Sequence, residues 1–181
     1  MDRIIFDLEA TCWDKGTPGM TQEIIEIGAL RLNELGQKVG SFHSMVRPMV
    51  HPVLSPYCRR LTHIDQEDIN RARPFSEVHP RFEDWLYRSE SFFLISWGSV
   101  DKELLENDCR MHRLNDEWLD FHVNLKQVYR DLFRLPRQIG LVAALRREGL
   151  EFEGEAHRAM SDAENLTRLY LKHRDQWPLE G

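Results

Sequence analysis

Ile4-Ile5-Phe6-Asp7-Leu8-Glu9-Ala10-Thr11-Cys12 is the stretch on which the fold turns. Bulky apolar residues run straight into an acid, an apolar residue and a second acid. A short apolar run of this kind fits a strand buried on both faces. Side chains alternate along a strand, so Asp7 and Glu9 point to the same side. Two carboxylates together at the end of a buried strand repel each other and lose hydration. A hard divalent cation that takes oxygen ligands would relieve both penalties. On spacing alone, a solvated Asp-x-Glu at a strand end accounts for the pair at least as well. The apolar lead-in and the rest of the chain shift the balance.

The 181 residues predict one domain, 1–181, with a single substantial core. No apolar run approaches the roughly 20 residues of a membrane span, and no secretory signal is visible at the N-terminus. Cys12, Cys58 and Cys109 are odd in number and far apart in sequence. They read as reduced thiols of a cytoplasmic protein rather than a disulfide frame or zinc cluster. The formal charge of −6 argues against charge-driven binding along duplex DNA. An enzyme that grips only a strand end, and offsets phosphate charge with metal ions, remains compatible with it.

Further along, 14–19 reads as a Gly/Pro loop, and 22–32 and 39–46 as the alternating strands of a hairpin. Ser55-Pro56 opens a short helix to about Arg60. A helical turn is expected at 64–69 and a firmer helix at 74–87, with Phe75, Val78, Phe82, Trp85 and Leu86 on one face. Residues 92–96 form a buried strand. The next helix turns Leu104, Leu105 and Met111 inward. Then come a short strand at 120–125, helices at 126–133 and 139–148, and a last helix from Ser161 to before Pro178. Ser161-x-x-Glu164 is a capping-box pattern for its start. The pattern predicts an α/β fold: a mixed five-stranded sheet flanked by helices.

Three more polar residues sit at element ends. Asp101 opens the helix after strand 92–96, Asp162 opens the last helix, and His157 precedes it in a loop. First-turn acids commonly only favour the helix dipole, and loop histidines are commonly surface residues. The order in the chain favours function: an acid pair on a central strand, an acid after a second strand, then His-x-x-x-x-Asp.

Those segments resemble the DEDDh 3′→5′ exonucleases, and within them the group of the histone-mRNA 3′ exonuclease and its RNA-interference relatives. The resemblance rests on 6–12, 22–29, 46–48, 54–58, 61–64, 96–101 and 157–165, and runs from about residue 4 to about 170. It implies a ribonuclease-H-like fold. Asp7, Glu9, Asp101 and Asp162 match the metal-binding acids and His157 the general base. It further implies two Mg²⁺ or Mn²⁺ ions per site. Asp7 is then the shared ligand, Glu9 and Asp162 serve the ion carrying the attacking water, and Asp101 acts mainly through a metal-bound water. A departure is Ala159-Met160-Ser161, where relatives often carry a glycine and a further acid.

The substrate expected is the 3′ end of single-stranded RNA or DNA, RNA preferred, and the product a nucleoside 5′-monophosphate. Leu8, Ala10 and Thr11 are expected to flank the terminal nucleotide. Leu61 and Trp97 are expected to pack on bases, with core packing as the ordinary alternative for both. Arg59, Arg60, Arg71 and Arg73 are candidates for phosphates or simply a solvated surface. Two other readings compete. Asp7-Leu8-Glu9-Ala10-Thr11 approaches the Asp-x-Asp-x-Thr nucleophile of haloacid-dehalogenase-type phosphatases, but the downstream lysine and late Gly-Asp motif are hard to place. A nuclease-like fold kept only to bind nucleic acid would have no need of all five site residues.

Overall fold

A computed structural model describes residues 1–14 and 19–178; most of the loop expected at 14–19 therefore lies outside the described residues. The sheet has six strands in the order β4-β3-β2-β1-β5-β6. They are β1 (Asp2–Ala10), β2 (Ile24–Leu32), β3 (Lys38–Arg47), β4 (Arg73–Pro74), β5 (Phe92–Ser96) and β6 (His122–Asn124). The β1–β2 and β2–β3 pairs are antiparallel, and β5 and β6 continue parallel to β1. The five expected strands are all present. The sixth, β4, is a two-residue parallel pairing with the end of β3. Its proline has no N–H and its brevity leaves no periodicity, so a helix start was the expectation there.

Alternation along β1 divides the core. Ile4, Phe6 and Leu8 face one side, where α3 (Phe75–Leu86) and α4 (Val100–His112) supply Val78, Phe82, Trp85, Leu104 and Leu105. Ile5 faces the other, against α5 (Leu125–Leu132), α6 (Leu141–Arg147) and α7 (Ala159–Lys172) through Tyr129, Leu145, Leu166 and Leu169. Asp7 and Glu9 continue the Ile5 row, so both carboxylates emerge on the α7 side of the sheet. β2 is buried along its whole length rather than on one face, because helices cover both sides. Met111, expected inside, is 37% exposed.

Two short helices, α1 (Pro56–Thr62) and α2 (Gln66–Arg71), cap the edge beyond β3. Ser55 is the N-cap of α1 as its sequence implied, accepting from the Cys58 N–H at 2.9 Å. The start of α7 differs. Its N-cap is Arg158, and Ser161 lies inside the first turn. The Asp162 carboxylate instead reaches back to accept the Arg158 N–H at 3.2 Å. A charged acceptor outcompetes a hydroxyl for the orphan donors of a helix start. No helix of the described residues is long and apolar enough to cross a membrane.

Candidate active site

The register of β1 against β2 places Asp7 opposite Gly28. A Cβ on Gly28 would lie 2.4 Å from the carbonyl carbon of Ala159 and from the Met160 nitrogen. The missing side chain lets α7 descend onto the sheet beside the acid pair. Asp162, one turn into that helix, then meets β1. Ligand oxygens of Asp7, Glu9 and Asp162 all lie within 4.8 Å of one another. Asp101 arrives from the opposite side: in the first turn of α4, its Oδ1 accepts the Leu8 N–H, between the two β1 acids, at 3.3 Å. Gly28→Ala is expected to destabilise the protein by up to about 3 kcal/mol, because the contact is backbone against backbone. It should also slow turnover by roughly 10², the effect of a displaced catalytic group. Thermal melts and single-turnover rates check both; a variant that melts and turns over like wild type refutes the close-approach argument.

Electrostatics mark the cluster. Burial, then Asp101, Asp162 and Glu9, push the Asp7 carboxyl well above the ordinary range. Burial and the neighbouring acids lift Glu9 to about 8. Burial raises Asp101 to about 6, against hydrogen bonds from Ser96 and the Leu8 N–H. Asp162 is raised by burial too, partly offset by the His157 N–H and by the charge of its side chain. This cluster has oxygen donors only, and carboxylates that resist ionising together. That donor set fits hard divalent ions such as Mg²⁺ or Mn²⁺ and does not fit a soft-metal site.

The arginine at the N-cap of α7 is occupied by Glu26. Arg158 binds Glu26 through Nη2 at 3.0 Å and Nε at 3.2 Å, and Glu26 also accepts the Ala159 N–H at 3.0 Å and contacts His43 at 2.7 Å. Burial alone would raise Glu26, but His43, Arg158 and the amide hold it down at about 2. Glu26 thus clamps the first turn of α7 to β2. The sequence showed this glutamate only as one residue of a buried strand; its spacing from Arg158 gave no signal. Its depressed pKa means its stabilisation is complete above pH ~4.5 and is lost as pH falls toward 2. Glu26→Gln should cost about 3 kcal/mol at neutral pH and progressively less in acid. Urea melts at pH 7 and pH 3 check this; an equal loss at both would contradict the assignment.

His157 lies in the exposed segment before α7 with φ 61°, in the left-handed region. Leu61 is half-exposed on α1, and Ala10 half-exposed at the end of β1. Leu8, Thr11 and Trp97, the other expected contacts, each have partners within the protein. Leu8 is buried at the site, its side chain in the core beneath. Thr11 is 2% exposed, its hydroxyl accepting the Glu23 N–H at 3.0 Å, which ties β1 to the start of β2. Trp97 packs on Tyr129, ring centroids 5.5 Å apart, and donates its indole N–H to the Ile139 carbonyl at 3.1 Å. Of the candidate arginines, Arg71 pairs with Glu67 and Arg73 with Glu77, each one turn away. Cys12 and Cys58, distant in sequence, are neighbours in the fold: the Cys58 thiol donates to the Ala10 carbonyl at 3.6 Å, and Cys12 lowers Cys58 to about 7.

A mixed sheet of this order, with four acids converging beside its central strand and a histidine ahead of the last, defines the ribonuclease-H-like exonuclease architecture. The RNase_T exonuclease family model matches residues 4–170, and the chain belongs to that family. Among solved structures, the nuclease domain of 3′hExo, described as a DEDDh family member bound to rAMP, superposes with a TM-score of 0.93 at 28% identity. The match covers 99% of this chain and 94% of that one. Mouse (Mus musculus) ERI1 exoribonuclease 2 is 31% identical over 93% of this chain and 28% of its own length. Drosophila melanogaster 3′-5′ exonuclease Snipper is 30% identical over 93% of this chain and 68% of its own. The chain spans only about a quarter of the length of the first of these two relatives.

Proposed function

We propose that this protein is a metal-dependent 3′→5′ exonuclease that shortens single-stranded ends, RNA in preference to DNA, and releases nucleoside 5′-monophosphates. The observation that carries this is the meeting of Asp7, Glu9 and Asp162 within 4.8 Å, with Asp101 bonded to the backbone between the first two. Those acids would hold two divalent ions, which neutralise charge on the attacking and leaving oxygens of a phosphodiester. The chain's own part is to fix the acids on rigid elements and to move a proton. The His157 imidazole takes the proton of the attacking water, at the mouth of the site, where an exposed side chain reaches bulk solvent to pass it on. Leu61 and Ala10 offer half-exposed apolar surface to the terminal nucleoside. The preference for RNA follows the relatives named exoribonucleases and the rAMP-bound structure.

Matched 5′-labelled RNA and DNA oligonucleotides, incubated with Mg²⁺ or Mn²⁺ and with EDTA, test the reading. Stepwise shortening with release of monophosphate is expected only with metal, and a 3′-phosphate should block it. Release of inorganic phosphate would favour the phosphatase reading. Full activity in excess chelator, or cutting of a circular single strand, would refute the proposal.

A further inference from the structure

Asp101 reaches the acid cluster on a short turn. β5 ends at Ser96, Gly98 takes φ 134°, and α4 opens at Val100 with Asp101 in its first turn. Among the described residues, the N-cap Ser99 makes no side-chain bond to this helix. The turn is held from beneath instead. Ser96 is fully buried, and its hydroxyl donates to the Gly98 carbonyl at 3.1 Å. The Ser96 Oγ also lies 2.9 Å from Nε2 of His122, which arrives on β6. A serine hydroxyl carries one proton, and the Gly98 carbonyl takes it. The second bond therefore runs from a His122 Nε2–H to the serine oxygen. Burial, and then the charge of Lys102, push His122 down to about 4, so at neutral pH the ring is uncharged and has a single N–H to give. The ring meets Phe6 of the central strand edge-on, centroids 6.0 Å apart, and the core thereby sets its orientation.

We propose that Ser96 and His122 are positioning residues for the metal site: the series His122 N–H, Ser96 O–H, Gly98 carbonyl fixes the turn that aims Asp101, and so sets the affinity for the ion that Asp101 serves. This rests on the metal-dependent exonuclease reading above and deepens it. Both residues act through Asp101 rather than on substrate. Asp101 has one bond to β1, from the Leu8 N–H, and at 3.3 Å it is too long to hold the carboxylate by itself. The rest of its placement comes from the turn. Hydrogen bonds in series strengthen one another, and a buried series with all members paired is rigid. A ligand of a metal site has to be held to within about 0.5 Å, which is what such a support supplies.

Mn²⁺ binding to the whole chain, read without substrate from the electron paramagnetic resonance signal of free Mn²⁺, tests the assignment. Ser96→Ala removes the hydroxyl. His122→Phe keeps an aromatic ring against Phe6 but removes the N–H. Each should weaken Mn²⁺ binding about tenfold, the order of a lost outer partner of a metal-binding carboxylate. His122→Gln, whose amide donates from the place of Nε2, should restore most of that affinity. The rate on a labelled single-stranded RNA should fall in Ser96→Ala and His122→Phe at limiting Mn²⁺ and recover as Mn²⁺ is raised to saturation, a recovery that damage to the fold would not give. Melting curves in EDTA show which variants fold, and Ser96→Ala decides the question should the phenylalanine variant not. Wild-type Mn²⁺ affinity in the folded variants, or a glutamine variant that binds as weakly as phenylalanine, overturns the positioning role while leaving the exonuclease reading standing. Mn²⁺ binding by wild type without any shortening of RNA overturns the exonuclease reading instead.

Discussion

Asp7→Asn is expected to reduce turnover to background while making the metal-free protein more stable at alkaline pH. The loss follows from position. Asp7 lies on the α7 side of β1 within 4.8 Å of both Glu9 and Asp162, where the proposed mechanism uses it as the shared ligand. The gain follows from its pKa. Burial and four neighbouring acids keep the Asp7 carboxyl far above its ordinary value, and Glu9 is lifted to about 8. In the unfolded chain these groups ionise near pH 4; in the folded, metal-free protein they resist. Their burial therefore costs nothing below pH ~4, and the cost grows as pH rises toward 8. At about 1.4 kcal/mol per unit, the cluster costs a few kcal/mol at pH 8. An uncharged amide at position 7 removes its own share and relieves Glu9 and Asp162. In EDTA at pH 8 the variant should melt several degrees above wild type, and the gap should close toward pH 5. Divalent ions should reverse the order, stabilising wild type more than the variant. A folded Asp7→Asn protein with near-wild-type rate would show that Asp7 is not a ligand. A melting difference that ignores pH would show that the acids do not repel.

The sheet, most helices and the acids that the fold brings together were legible because each carries a local signal. β1 announces itself by an apolar run ending in acids, α1 by Ser55-Pro56, and Asp101 and His157…Asp162 by their places at element ends. What stayed illegible depends on contacts between distant segments. Glu26 and Arg158 are 132 positions apart, and nothing in either neighbourhood marks them as partners. Gly28 reads as an ordinary strand glycine until α7 is seen to lie on it. The start of α7 was misread for a related reason. Ser161-x-x-Glu164 is a sound capping pattern, but the clamp by Glu26 and the back-bond from Asp162 begin the helix two residues earlier. Trp97 illustrates the ambiguity of aromatics beside a site: packing on a base and packing on Tyr129 present the same sequence. In the fold its indole N–H donates to the Ile139 carbonyl at 3.1 Å and its ring packs on Tyr129.

His157→Ala is expected to slow the chemical step by about 10²–10⁴, the range for loss of a general base. The side chain points outward from a left-handed residue, three residues after Gly154, also at positive φ. The next residue's N–H, that of Arg158, bonds to the Asp162 carboxylate at 3.2 Å, which fixes the backbone beside an exposed imidazole. Glu155 steadies the same segment from outside, 3.5 Å from His63 and 3.9 Å from Arg158. Such a loop can present the imidazole to water beside the acid cluster without disturbing the acids. Alanine tests the base but also strains the backbone, since non-glycine residues tolerate positive φ poorly. His157→Asn removes the confusion: asparagine accepts the left-handed conformation and has no proton-accepting nitrogen. Both variants should lose rate to the same extent and still be stabilised by Mn²⁺ as wild type is, and His157→Asn should keep wild-type melting in EDTA. In single-turnover experiments at saturating metal, the wild-type rate should rise with pH along a limb that both variants lack. Recovery of near-wild-type rate by asparagine would show that position 157 serves only the turn. An unchanged pH limb in both variants would send the search for the base to another residue.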